Sequence, residues 1–146
     1  MTFIVTLIIL VFPSFICQAA AQDSKLIDAA KKEGGKVIIY GSPETPVVDA
    51  VIQAFQKKTG LAADYWRASA MSVMNRAMSE YRAGKPLFDI ILTNDSPMQI
   101  MLKEGIFAKY ESPSAKDFNK ESIDPNLGPR YRNVIIGIDY NKSVMN

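Results

Sequence analysis

A chain of 146 residues that is 48% apolar and 22% charged has the balance of a folded globular domain and excludes an extended disordered one. Its formal charge is only +2 and its basic residues are dispersed, with no run longer than two, which excludes a nucleic-acid groove built on a basic stripe. The length suits one domain.

The first twenty-one residues carry no charged side chain. An apolar stretch, FIVTLIILVF, leads into Pro13 and Ser14, and Ala19, Ala20 and Ala21 supply the small residues a signal peptidase accepts. A signal peptide over residues 1–21, cleaved after about Ala21, is therefore expected, with the remainder, 22–146, as the mature chain. Cys17 is the only cysteine and lies inside that segment, so the mature chain has no thiol for a disulfide or a metal. Phe15 and Ile16 are too bulky for the small residues that precede a lipidated cysteine. No later apolar run approaches the roughly 20 residues needed to span a bilayer.

In the mature chain the periodicity alternates. Ser24 to Lys32 reads as a helix with Leu26, Ile27, Ala29 and Ala30 apolar, ended by Gly34 and Gly35. Lys36 to Tyr40, KVIIY, is a strand. Then Val47, Val48, Val51, Ile52 and Phe55 form a stripe at the helical period, with Thr45 as N-cap, Pro46 in the first turn and Gly60 as the stop. Ala62 to Arg67 is a second strand, and Met71, Met74, Met78 and Tyr81 mark the apolar face of the helix after it, stopped by Gly84 and Pro86. The methionines are expected in the core. Of Tyr65 and Trp66, alternation buries one and leaves the other open to stack on a ligand. FDIILT, 88–93, is a near-continuous run of strand formers, as in a strand covered on both faces. Asn94, Asp95 and Ser96 make a turn, Pro97 enters a last helix and Gly105 closes it.

Strand and helix in this alternation predict an α/β fold: an open, mainly parallel sheet with right-handed crossovers and helices on both faces. The turns at 41–45, 67–72 and 93–97 then gather on one edge, beyond the carboxyl ends of the strands, where open α/β sheets place their ligands. Each turn is small and polar, and the candidate ligand-binding residues are Gly41, Ser42, Thr45, Ser69, Asn94 and Asp95. For any one of them helix capping alone is a sufficient explanation; three converging turns add the binding reading. With no histidine, no thiol in the mature chain, no Gly-rich phosphate fingerprint, and carboxylates (Glu44, Asp49, Asp95, Asp124, Asp139) that nothing pairs, the chain is expected to be neither an enzyme nor a metal-cofactor protein.

The segments DAAKKEGGKVIIYGSPE, DYWRASAMSVMNRAMSEYRAGKPLFDIILTND and LKEGIFAKYESPSA resemble the N-terminal lobe of bacterial extracellular solute-binding proteins of ABC transporters, within the iron(III)-type or related group. The resemblance runs over about residues 23–145. It implies one lobe of a type 2 periplasmic-binding-protein fold, a periplasmic location, a monomer, a small polar or anionic solute (a metal ion or its chelate included), no cofactor, and an ABC permease as partner. It places Gly41, Ser42, Ser69, Asn94 and Asp95 on the loops lining the interlobe cleft. The closing RNVIIGIDYNKSVMN resembles the strand and turn where such a chain crosses into its second lobe, so only the first lobe is expected. The adjacent tyrosines that iron-binding members use belong to the other lobe, and specificity for iron is not implied. A nonfunctional fragment and an effector-sensing domain of a transcription regulator are the alternative readings.

Overall fold

The computed structural model describes residues 17–130. Residues 1–16 of the expected signal segment, and residues 131–146 with the expected crossover strand and Asp139, lie outside the described residues. The described residues divide into two compact units, one up to residue 99 and the other from residue 100.

The first unit is a three-stranded parallel sheet. Strand β1 (Lys36–Gly41) lies at its centre, β2 (Ala62–Arg67) on one side and β3 (Ile90–Leu92) on the other. Helix α1 (Cys17–Lys32) precedes β1 and runs through the expected cleavage point at Ala21. Helix α2 (Thr45–Thr59) connects β1 to β2, and α3 (Ala70–Arg82) connects β2 to β3. The chain steps from β1 outward to β2, then reverses across β1 to β3. Right-handed crossovers in opposite directions put α2 and α3 on opposite faces of the sheet. The expected α/β architecture and the order of its elements are thus present.

Burial differs from the periodic reading at several places. On α2, Val48 is buried and Ile52 and Phe55 are half-buried, while Val47 and Val51 are exposed. The stripe is one residue wide rather than two because a helix laid on one sheet face buries only the side it turns inward. On α3 the buried residues are Val73, Met74 and Ala77. Met71 is 54% exposed and Tyr81 is also exposed, which corrects the expected Met71, Met74, Met78 and Tyr81 face. Two short side chains, Val73 and Ala77, let the helix approach β1 closely, and the long ones fall to the flanks. On α1, Ile27 and Ala30 are half-buried and Leu26 and Ala29 exposed.

Strand β3 is shorter than FDIILT and is not covered on both faces: Ile90 is 44% exposed, while Ile91 is buried. It enters pairing through Asp89, whose amide donates to the Ile38 carbonyl (2.8 Å) and whose carboxylate accepts from the Ile38 amide (2.8 Å). A side chain thus does what a ladder carbonyl would do one residue earlier. Gly60 stops α2 in the left-handed conformation (φ 70°), its amide donating to the Gln56 carbonyl at 2.8 Å.

Helix α4 (Asp95–Lys103) passes from the first unit into the second. The second unit's described part has two short 3-10 turns, Pro113–Asp117 and Lys120–Ser122. An antiparallel two-strand ladder of β4 (Ile123–Asp124) and β5 (Gly128–Pro129) follows. Its tip is closed by Asp124, whose Oδ1 accepts from the amides of Asn126 (2.8 Å) and Leu127 (3.1 Å).

Candidate site at the carboxyl edge of the sheet

Parallel strands end on the same side, and the register makes this concrete: Gly41 is opposite Arg67 on β2 and opposite Leu92 on β3. The ladder runs on into the turns. The Ser42 amide donates to the Leu92 carbonyl (2.9 Å), and the Ala68 amide to the Gly41 carbonyl (3.0 Å). Because β2 and β3 flank β1, the turn at Ser69 and the turn at Asn94 are separated by two strand spacings, roughly 10 Å. The direction of winding reverses at β1, with β2 on one side of it and β3 on the other, so the boundary between β1 and β3 is the switch point of the sheet, the place where open α/β sheets put their ligands.

The β1 turn is fastened from both sides. Ser42 Oγ and Thr93 Oγ1 lie 3.1 Å apart and share a hydrogen bond across the β1–β3 switch point. The carbonyl of buried Pro43 accepts from the Tyr65 hydroxyl (2.8 Å) and from Arg67 Nε (3.1 Å). Gly41 has no room for a side chain: a Cβ there would stand 2.8 Å from Tyr65 Cε2 and 2.9 Å from the Leu92 carbonyl oxygen. Its small size is therefore required by packing within the chain.

The other candidates are placed as follows. Ser69 N-caps α3, its Oγ accepting from the Ser72 amide (3.2 Å) and lying 2.8 Å from Ser72 Oγ. Asn94 is exposed, and its carbonyl accepts from the Met98 amide (3.2 Å), while exposed Asp95 opens α4, where a carboxylate is favoured by the helix dipole. Thr45 is not the N-cap of α2. That position is Glu44, which makes no side-chain capping bond, and Pro46, lacking an N–H, removes one of the donors a cap would serve. The fold therefore brings Gly41, Ser42, Ser69, Asn94 and Asp95 to one edge. Thr45 faces a different opening, a groove of 590 Å3 along β2 shared with Asp49, Ile52, Tyr65, Trp66 and Arg76. That groove contains none of the other five candidates.

Tyr65 and Trp66 divide as alternation requires. Tyr65 lies on the same face as Gly41 and holds the β1 turn. Trp66 is on the opposite face, edge-on to buried Tyr40 with ring centroids 4.9 Å apart. The Arg76 guanidinium covers both rings, 4.5 Å from the Tyr40 centroid and 4.3 Å from that of Trp66. Glu80 completes this cluster. Its Oε1 accepts from the Tyr40 hydroxyl (2.9 Å) and Arg76 Nε (2.8 Å), and its Oε2 from the Leu87 amide (3.1 Å). Burial opposes ionisation of Glu80, but the hydrogen bonds from Arg76, Leu87 and Tyr40 together with the Arg76 charge outweigh it and hold the carboxyl below its ordinary range. Burial, reinforced by Glu80, pushes the Tyr40 hydroxyl up.

Thr93 and Arg67 are site residues that periodicity did not single out. Arg67 was legible only as the last residue of a strand; its reach to Pro43 depends on a turn 24 positions earlier in the chain. Among the described residues no group of three or more His, Cys, Asp or Glu could hold a metal ion, and no helix is long and apolar enough to cross a membrane.

No family model matches the sequence, and no curated protein does. Solved structures do. Iron-bound HitA from Pseudomonas aeruginosa matches with a TM-score of 0.55 and 22% identity over 63% of this chain and 30% of HitA. The Trichodesmium protein IdiA, or FutA, solved in complex with iron and citrate, matches with the same TM-score and identity over 63% of this chain and 29% of its own. The matched part thus amounts to less than a third of the length of either protein. Over that part, this chain has the periplasmic-binding-protein fold: a parallel α/β sheet flanked by helices, with its polar turns on the carboxyl edge.

Proposed function

We propose that this chain is the first, ligand-facing lobe of an exported solute-binding protein that delivers a small polar or anionic solute, with an iron chelate as the leading candidate, to an ABC permease. The observation that carries this reading is the convergence of three polar turns at the switch point of a parallel sheet. Two proteins sharing the fold were solved with iron, one of them with citrate as well, which supports a metal chelate as the solute. The mechanism is capture at the carboxyl edge followed by closure of a second lobe, which would bury the solute and form the surface a permease reads. Binding sites bury most of a small ligand. A single lobe holds one side only, so this chain alone binds weakly.

The test is an amide NMR titration of the folded chain with gallium(III) citrate, a diamagnetic substitute for the ferric complex, and with phosphate, sulfate and spermidine in parallel. The expected result is weak saturable binding that shifts amides in the turns at 41–45, 67–72 and 93–97. Micromolar affinity by this chain alone refutes the two-lobe clamp, and shifts confined to other surfaces refute the site.

A further inference from the structure

The three edge turns contain a single cation, Arg67, and two carboxylates, Glu44 and Asp95. Arg67 is exposed, opposite Gly41 in the register, and its Nε is held on the Pro43 carbonyl at 3.1 Å. Tyr65 donates to the same carbonyl, so both lone pairs of that oxygen are used and the carbonyl is a fixed reference point. A guanidinium is planar. Holding Nε fixes one in-plane direction of the group and leaves the Nη1 and Nη2 hydrogens as a fork, the geometry that matches two oxygens of a carboxylate or phosphate. Among the described residues no carboxylate forms an ion pair with Arg67. This differs from Arg76, whose Nε is paired with Glu80 and whose face lies over two aromatic rings.

We infer that Arg67 is the oxyanion receptor of the site: its Nη fork takes a carboxylate or phosphate of the solute, which makes the solute an oxyanion or an oxyanion-bearing chelate. The inference rests on the solute-binding reading and names the chemistry of its ligand. The Pro43 carbonyl is the positioning element, and Glu44 and Asp95, flanking the same edge, disfavour a bare multivalent anion relative to one whose charge is offset by a bound cation.

The experiment follows the side-chain nitrogen resonances of Arg67 and the edge amides while the full chain is titrated with sodium citrate, gallium(III) citrate and inorganic phosphate. The expected result is a saturable shift of the Arg67 side-chain signals. Arg67→Gln should weaken binding by about tenfold or more, as loss of a bidentate charge-assisted pair requires, with Arg67→Lys intermediate. Tyr65→Phe removes the other hydrogen bond to Pro43 and keeps the guanidinium, so it should weaken binding less than Arg67→Gln does and thereby separate the charge from the rigidity of the turn. A response to citrate and its gallium complex alone identifies a carboxylate ligand, and a response to phosphate alone identifies a phosphate. If the edge amides respond equally in wild type and Arg67→Gln, the role of Arg67 is overturned while the solute-binding reading stands. If no probe moves the wild-type edge, both fail.

Discussion

Glu80→Gln is the substitution whose consequence follows most directly from the geometry. Both oxygens of Glu80 are acceptors, for Tyr40, Arg76 and the Leu87 amide. A glutamine has one carbonyl oxygen and one NH2 group, so either orientation sets a donor against a donor. If its oxygen takes the Oε1 position, the Leu87 amide loses its partner; if it takes the other, buried Tyr40 and Arg76 both do. The charge on the Arg76 bond is lost in both cases. A hydrogen bond to a charged group contributes about 1.5–3 kcal/mol. The Glu80 side chain is 15% exposed but that of Arg76 is 39% exposed, so water screens part of the loss and about 2 kcal/mol is expected at neutral pH. For a domain of this size that is roughly 10 °C in Tm.

The pH dependence gives a second readout. The folded carboxyl is held below the ordinary value near 4.3, so between the two the unfolded chain binds more protons and wild-type stability falls as pH falls. Glutamine does not titrate. The gap between wild type and Glu80→Gln should therefore be full above about pH 5 and narrow steadily as the wild-type carboxyl becomes protonated. Thermal unfolding followed by circular dichroism from pH 7 to acid measures it. Equal stability at neutral pH, or a gap that does not change on acidification, would refute the reasoning.

Gly41→Ala should destabilise the unit by about 1–3 kcal/mol, because one of its three close contacts is the Leu92 backbone oxygen, which cannot rotate away; chemical denaturation checks it, and an unchanged midpoint counts against the packing explanation. Ser69→Ala removes the cap of α3 and should cost about 1 kcal/mol in the same assay. Its effect on solute affinity, compared with that on stability, separates capping from ligand contact.

Much of the fold was legible without coordinates because each crossover is locally consistent. Alternating strands, helices stopped by glycine and crossovers of helical length leave a parallel sheet as the economical arrangement, and β2 matched its expected bounds to the residue. Side-chain placement was less legible. The methionine pattern on α3 pointed to a face that only partly agrees with the buried one, since periodicity identifies apolar residues but not how closely a helix approaches its sheet. FDIILT looked doubly covered because apolar content cannot tell a central strand from one at the edge of the described sheet. Thr45 looked like a cap because Thr before Pro is a common start, yet the helix begins one residue earlier than that reading.

By itself the sequence determined the α/β class, the order of elements and the three small polar turns that bring Gly41, Ser42, Ser69, Asn94 and Asp95 to one edge. Those properties depend on local periodicity and on the handedness of crossovers. Only the tertiary structure decided that Gly41 is small to admit Tyr65, that Glu80 ties Tyr40 to Arg76, and that Arg67 is held by the turn after β1. The contacts Gly41–Tyr65, Tyr40–Glu80 and Pro43–Arg67 join residues 24 to 40 positions apart in the chain, and their distances exist only once the strands are in register.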